Sequence, residues 1–210
     1  MGMLKRISAG LLMALMAGPA FAAGNDDPDW PCVQRKIPAL SAGMMWAGPP
    51  VDEAAEKTWS NDEELSALVA RISARRTTLD EAAEQITAYA EKLDAQSKNQ
   101  KLTALFAGVL STINSERAQI MTGITKYTRK QQELANTIRE TRNQFSEALK
   151  VKPKTDESRK AVRELEQKLS WQSRIHQDRE RSLLYVCESP VILEQRAFAL
   201  AREVANQLSE

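Results

Sequence analysis

Residues Leu102–Phe145 read LTALFAGVLSTINSERAQIMTGITKYTRKQQELANTIRETRNQF, and no proline occurs between Pro50 and Pro153. Phe106, Ile113, Ile120, Tyr127 and Leu134 recur every seven residues. A second row, Leu110, Ile124, Ile138 and Phe145, keeps the same period and is interrupted by Arg117 and Gln131. Two mostly apolar rows in heptad register predict a long helix that buries a seam, either in a coiled coil or as one face of a bundle. Unbroken from Asn99 to Lys150, it would span about 75–80 Å at 1.5 Å per residue. Gly108 and Gly123 each weaken such a helix by roughly 1 kcal/mol relative to alanine. They mark bends or close contacts with a neighbour.

Downstream, Lys150-Val151-Lys152-Pro153-Lys154-Thr155 is a tight break. Thr155 is suited to cap the next helix, with Asp156 and Glu157 in its first turn. Val162, Leu165, Leu169, Leu183 and Val186 continue the heptad spacing, and the seam turns polar at Gln172, His176 and Arg179. A short connection favours antiparallel neighbours. Folding about Lys152–Pro153 places Gln131 opposite Gln172 and His176, a predicted polar layer that would fix register at a cost in stability. The helix is expected to end near Cys187. Ser189-Pro190 then reads as the N-cap and first position of another helix. Its buried face is Leu193, Ala197, Leu200, Val204 and Leu208; the mixed row Ile192, Arg196, Ala199 and Glu203 lies elsewhere.

Upstream, the polar stretch Asp94–Asn99 turns the chain. Thr77-Thr78, followed by Asp80 and Glu81, starts a helix carrying Leu79, Ala82, Ile86, Tyr89, Ala90 and Leu93. Ser60 with Glu63 has capping-box spacing before Leu65, Leu68, Val69 and Ile72. Residues 23–59 differ: they hold Pro28, Pro31, Pro38, Pro49, Pro50 and the tryptophans Trp30, Trp46 and Trp59. Proline removes donors and fixes φ, while disordered segments are poor in aromatics. An extended arm packed onto the helices through its tryptophans satisfies both facts. The expected fold is therefore all-α: an elongated helical bundle or antiparallel coiled-coil hairpin, about residues 99–187, within a helical domain 60–210, preceded by an irregular Pro/Trp-rich arm.

Residues 1–22 have a different character. Lys5-Arg6, the uncharged run Ile7–Ala20 and the small-residue site Ala20-Phe21-Ala22 are the three parts of a cleaved secretory signal. The run is shorter than the roughly 20 residues a membrane-crossing helix needs. Asp29-Trp30-Pro31 before Cys32 is no lipobox, so a soluble periplasmic product is expected. Removing residues 1–22 leaves 27 Lys and Arg against 28 Asp and Glu, a formal −1. A near-neutral chain argues against nucleic acid or anionic lipid as the main partner. Cys32 and Cys187 are the two cysteines, and an oxidising compartment favours their pairing over a redox-active thiol.

Chemistry-bearing residues are sparse. His176 is the single histidine, too few for a histidine metal site or a catalytic triad. No phosphate loop, haem-attachment motif or nucleophile elbow occurs. Met44-Met45 beside Trp46 offers soft ligands for Cu(I), but such methionines more often fill gaps in a core. The expectation is a non-enzymatic, cofactor-free protein: a helical adaptor, accessory subunit or chaperone-like holder. It would bind another periplasmic or envelope protein, with self-association as a further option, through Trp30, Met44, Met45 and Trp46. The alternative is a helical ligand-binding or sensor module with an apolar pocket between helices.

Overall fold

The computed structural model describes residues 27–153 and 155–209, and helices are the regular structure among them. The signal expected at residues 1–22 lies outside the described residues. A short 3-10 turn, Ala42–Met44, precedes five α-helices: α1 Glu53–Asn61, α2 Glu63–Ser73, α3 Leu79–Ala90, α4 Lys98–Lys150 and α5 Asp156–Ala205.

The helix starts follow side-chain capping. Asp52 accepts the Ala55 amide at 2.9 Å and begins α1 directly after Pro49-Pro50. The last residues of the expected arm are thus helical, because the proline-rich part ends at position 50. Asp62, not Ser60, caps α2, accepting the Leu65 amide at 3.1 Å. Ser60 lies inside α1 and donates to the Glu56 carbonyl at 3.0 Å, so the Ser60–Glu63 box does not form. Thr78 and Glu81 form a reciprocal capping box on α3, and Thr155 caps α5 by accepting the Ser158 amide at 3.2 Å.

Asp62 also receives Lys101 Nζ. That ion pair and the capping hydrogen bond hold its carboxyl below its ordinary value of 3.8. A depressed carboxylate pKa contributes stability that is present above the unfolded-state value and lost as pH falls through the folded-state value. Asp62→Ala is expected to cost about 1–2 kcal/mol at neutral pH, and the wild-type advantage should vanish in acid. Urea titrations of both proteins across the acid range check this; parallel stability curves throughout would refute it.

The main core lies where α1, α2 and α3 close on the start of α4 and the end of α5. Leu65, Ile72, Ile86, Leu105, Phe106, Leu193 and Leu200 are fully buried there. Residues Leu102–Leu110 are buried on every side of α4, which explains the near-continuous apolar run in that stretch. Gly108 is a close contact: an added Cβ would stand 2.7 Å from Val69 Cγ2 and 2.9 Å from the Trp59 ring. Gly123 faces open space, with nothing within 4 Å.

Beyond Ile113, α4 buries a single stripe, Arg117, Met121, Ile124, Thr128 and Gln131. The expected row Leu110–Ile124 belongs to it. Its companion is Met121–Thr128 rather than Ile120–Tyr127, which lies at the seam's edge. Thr128 can occupy a seam because its hydroxyl bonds the Ile124 carbonyl at 3.0 Å, so no polar group is left unpaired. The hairpin is antiparallel and in steady register. Arg117 Nε donates to the Pro190 carbonyl, Tyr127 Oη to that of Arg179 and Gln131 Nε2 to that of His176. Each pair is centred on positions 153–154, the Lys152–Pro153 break that the sequence marks.

One boundary differs from expectation. Helix α5 runs through Pro190 instead of ending at Cys187 and restarting at Ser189. A proline inside a helix removes one hydrogen bond, here to the Val186 carbonyl. Val186 is 41% exposed, so the freed carbonyl belongs to a residue at the surface, while Pro190 itself is buried in the packing.

Candidate functional site

The arm follows α4 in reverse. Near its start, Gln132 Nε2 donates to the Pro28 carbonyl at 3.3 Å and Arg129 Nε to Asp29 at 2.7 Å. Cys32 is bonded to Cys187 of α5, with the two Cα atoms 5.5 Å apart. Trp30, Cys32, Met121, Ile124 and Cys187 form a second, small buried cluster. The Trp30 indole N–H donates to the Gln34 carbonyl at 2.7 Å. Further on, the Asn114 amide takes both backbone groups of Leu40, accepting its N–H at 2.8 Å and donating to its carbonyl at 2.9 Å. Trp46 ends the strap, stacked on Phe106 with ring centroids 4.4 Å apart and planes 5° from parallel. Gly48 gives that indole room, since a Cβ there would meet Trp46 at 2.4 Å.

The four residues expected to contact a partner are placed differently from one another. Trp30 is 6% exposed, and Trp46 and Met45 pack against the main core. All three serve the molecule's own packing. Of the four candidate contact residues, Met44 alone is largely exposed, at 50%.

The seam positions Gln131, Gln172 and His176 come together on facing helices. Gln131 and Gln172 are buried, and Gln131 Nε2 donates to the His176 backbone carbonyl at 3.1 Å. Histidine thus contributes its main chain to this contact. The Oε1 atoms of both glutamines are buried without a donor, which makes the layer a costly place to keep the helices together. Past it, Thr141 is the one further buried residue of α4 among those described.

Two features escaped the sequence reading. The first is the outer face of α5, where Trp171, Leu184 and Tyr185 are 66%, 71% and 76% exposed and Ile192 is 48% exposed. Trp171, Tyr185 and Ile192 sit at multiples of seven residues and so share one side of the helix. Arg174, Arg181 and Glu188 flank them, and Asp178, paired to Arg181, occupies the same row between Trp171 and Tyr185. The disulfide brings Val33, 98% exposed, to the same level of α5.

The second feature is a pair of buried arginines. Arg196 donates through Nε at 3.1 Å, and through Nη2, to the Ile72 carbonyl. It closes the C-terminal end of α2, where carbonyls lack helical partners. Arg117 is 3% exposed and has Glu194 Oε2 3.7 Å from Nη2. Burial pushes both guanidinium pKa values down, against the opposing pull of Glu194 on Arg117 and Glu116 on Arg196. An arginine starts so high that both remain charged. Arg117 had a visible signal, as the cation interrupting an apolar heptad row. Arg196 had none beyond lying in the mixed row.

Among the described residues, no group of three or more His, Cys, Asp or Glu side chains is placed to hold a metal ion, and no helix is long and apolar enough to cross a membrane. No protein-family model, curated protein or solved structure matches the chain.

Proposed function

We propose that this chain is an exported periplasmic helical interaction protein, an adaptor, accessory subunit or chaperone-like holder, whose outer α5 face docks on another envelope protein. The observation that carries this reading is the patch Leu184, Tyr185 and Ile192, with Trp171 two heptads away on the same side, large apolar side chains left in water on one helix. Scattered exposed apolar residues need no explanation, but Leu184, Tyr185 and Ile192 clustered between Asp178, Arg181 and Glu188 fit the anchor-and-rim pattern of protein interfaces. Export rests on the signal-like residues 1–22 and suits a disulfide-bonded product. Mass spectrometry of the protein recovered from osmotic-shock fluid should find a chain beginning at Ala23; retention of Met1–Ala22 in a cytoplasmic fraction would overturn the export part.

The docking part is tested with Leu184→Ser and Tyr185→Ser together. Both positions are exposed, so the double variant should melt within about 1 kcal/mol of wild type. Cross-linked pull-downs from periplasmic extract should then show a stoichiometric partner with wild type and at least tenfold less with the variant, a loss of about 1.4 kcal/mol or more. Equal capture by both proteins would remove α5 from the interface.

A further inference from the structure

The arm, α4 and α5 line an open cleft of about 400 Å³, with the disulfide's Cys187 among its lining residues. That volume lies in the range of small-molecule sites, roughly 300–1,000 Å³. Trp30 and Ile37 from the arm, Met121 from α4 and Phe198 from α5 supply apolar walls. Arg117 and Arg35 also line it, facing one acid, Glu194.

Arg117 is unusual. It carries five N–H donors and is 3% exposed. Its Nε reaches the Pro190 carbonyl at a long 3.3 Å. Its Nη2 stands 3.7 Å from Glu194, an ion pair beyond hydrogen-bond distance. Its Nη1 is buried with no acceptor at all. A buried cation with so few acceptors is expensive unless something else supplies them. A purely structural seam position would be served better by leucine, the residue one heptad earlier in the same row, Leu110.

We infer that this cavity binds a small organic monocarboxylate with an apolar body, its carboxylate taken by Arg117 and its body by Trp30, Ile37, Met121 and Phe198. Planar bidentate recognition is what a guanidinium offers a carboxylate. The charge balance selects a monoanion: two arginines against one glutamate leave a single positive charge, which a phosphate dianion would exceed. The apolar walls select a hydrocarbon body over a sugar or an amino acid. This site is separate from the α5 docking face, so either proposal can fail without the other.

The probe series is octanoate, phenylacetate and their uncharged amides, titrated by calorimetry and by Trp fluorescence into the disulfide-bonded full-length protein. At least one carboxylate should bind saturably below about 1 mM, and its amide about tenfold or more weaker. Arg117→Met, which fills similar volume without charge, should lose the carboxylate preference while keeping its helical spectrum. Because that variant alters the seam, Val191→Trp at the cavity lining provides a second test and should abolish binding of every probe. No saturable binding of any carboxylate, equal affinity for acid and amide, or undiminished carboxylate binding by folded Arg117→Met or Val191→Trp would each overturn the inference.

Discussion

Removing the Cys32–Cys187 bridge should lower the unfolding free energy by about 4–5 kcal/mol, the value loop-closure entropy assigns to a loop of this length. The bonded residues are 155 apart in sequence, so the bridge restrains almost the whole described chain when it unfolds. The native state also depends on it locally. Trp30 and Cys32 form one side of the small cluster against Met121 and Ile124, and the rest of the arm's start is held by exposed contacts such as Arg129–Asp29, whose arginine is 62% exposed. Exposed ion pairs contribute only about 0–1 kcal/mol each. Cys32→Ser/Cys187→Ser should therefore lower the unfolding free energy obtained from urea titration by the full loop term, and it should speed hydrogen exchange at residues 28–36 more than in α4. Coincident unfolding curves for oxidised wild type and the double serine variant would show that the bridge contributes nothing to stability.

The long-range plan of the molecule was readable in the sequence because it rests on strong local signals. The Thr78 and Thr155 caps, the turn expected at Asp94–Asn99, which ends at Ser97 where α4 begins, and the break at Pro153 each come from a residue whose backbone chemistry leaves few options. Antiparallel register then follows from the short connection, which is why Gln131 was placed near Gln172 and His176. What was not readable depended on tertiary context. Helix α1 hides behind Pro49-Pro50, where proline density masks a sound Asp52 cap. The seam's second row contains Thr128, polar by type yet satisfied by its own helix. Pro190 looks like a helix start, and only the exposed position of Val186 tells that the lost bond is tolerable. The outer face of α5 could not be separated from its seam, because Leu183, Leu184, Tyr185 and Val186 are consecutive. Only a partner helix reveals which of them points inward: Leu183 packs toward the small cluster, while Leu184 and Tyr185 face water. The site candidates suffered similarly. A tryptophan in an irregular segment suits either packing or partner contact; here Trp30 is buried and Trp46 stacks on Phe106.

Phe106→Ala should cost about 3–5 kcal/mol, the usual loss for a fully buried phenylalanine. Phe106 is 0% exposed, in the stretch of α4 that is covered on all sides, so little can collapse into the space left behind. The substitution also removes the surface on which Trp46 stacks. The Trp46 indole would keep its hydrogen bond to the Pro49 carbonyl, at 2.6 Å, but that bond lies within the arm and does not hold the arm to the helices. A red shift in tryptophan emission should therefore accompany the loss of stability. Phe106→Leu, which keeps most of the volume, should cost far less and serves as the milder probe of coupling. The arm is fixed to the main core by the Phe106 stack and by Asn114 on Leu40, and to the small cluster by the disulfide, and these two clusters share only the partly buried Ile120. Distant sites without shared partners add within about 0.5 kcal/mol. Combining Phe106→Leu with the double serine variant should thus give the sum of their separate costs. A combined cost more than about 1 kcal/mol from that sum would mean instead that the arm attaches as one cooperative strap, with Leu40 and Asn114 transmitting the loss of either anchor to the other.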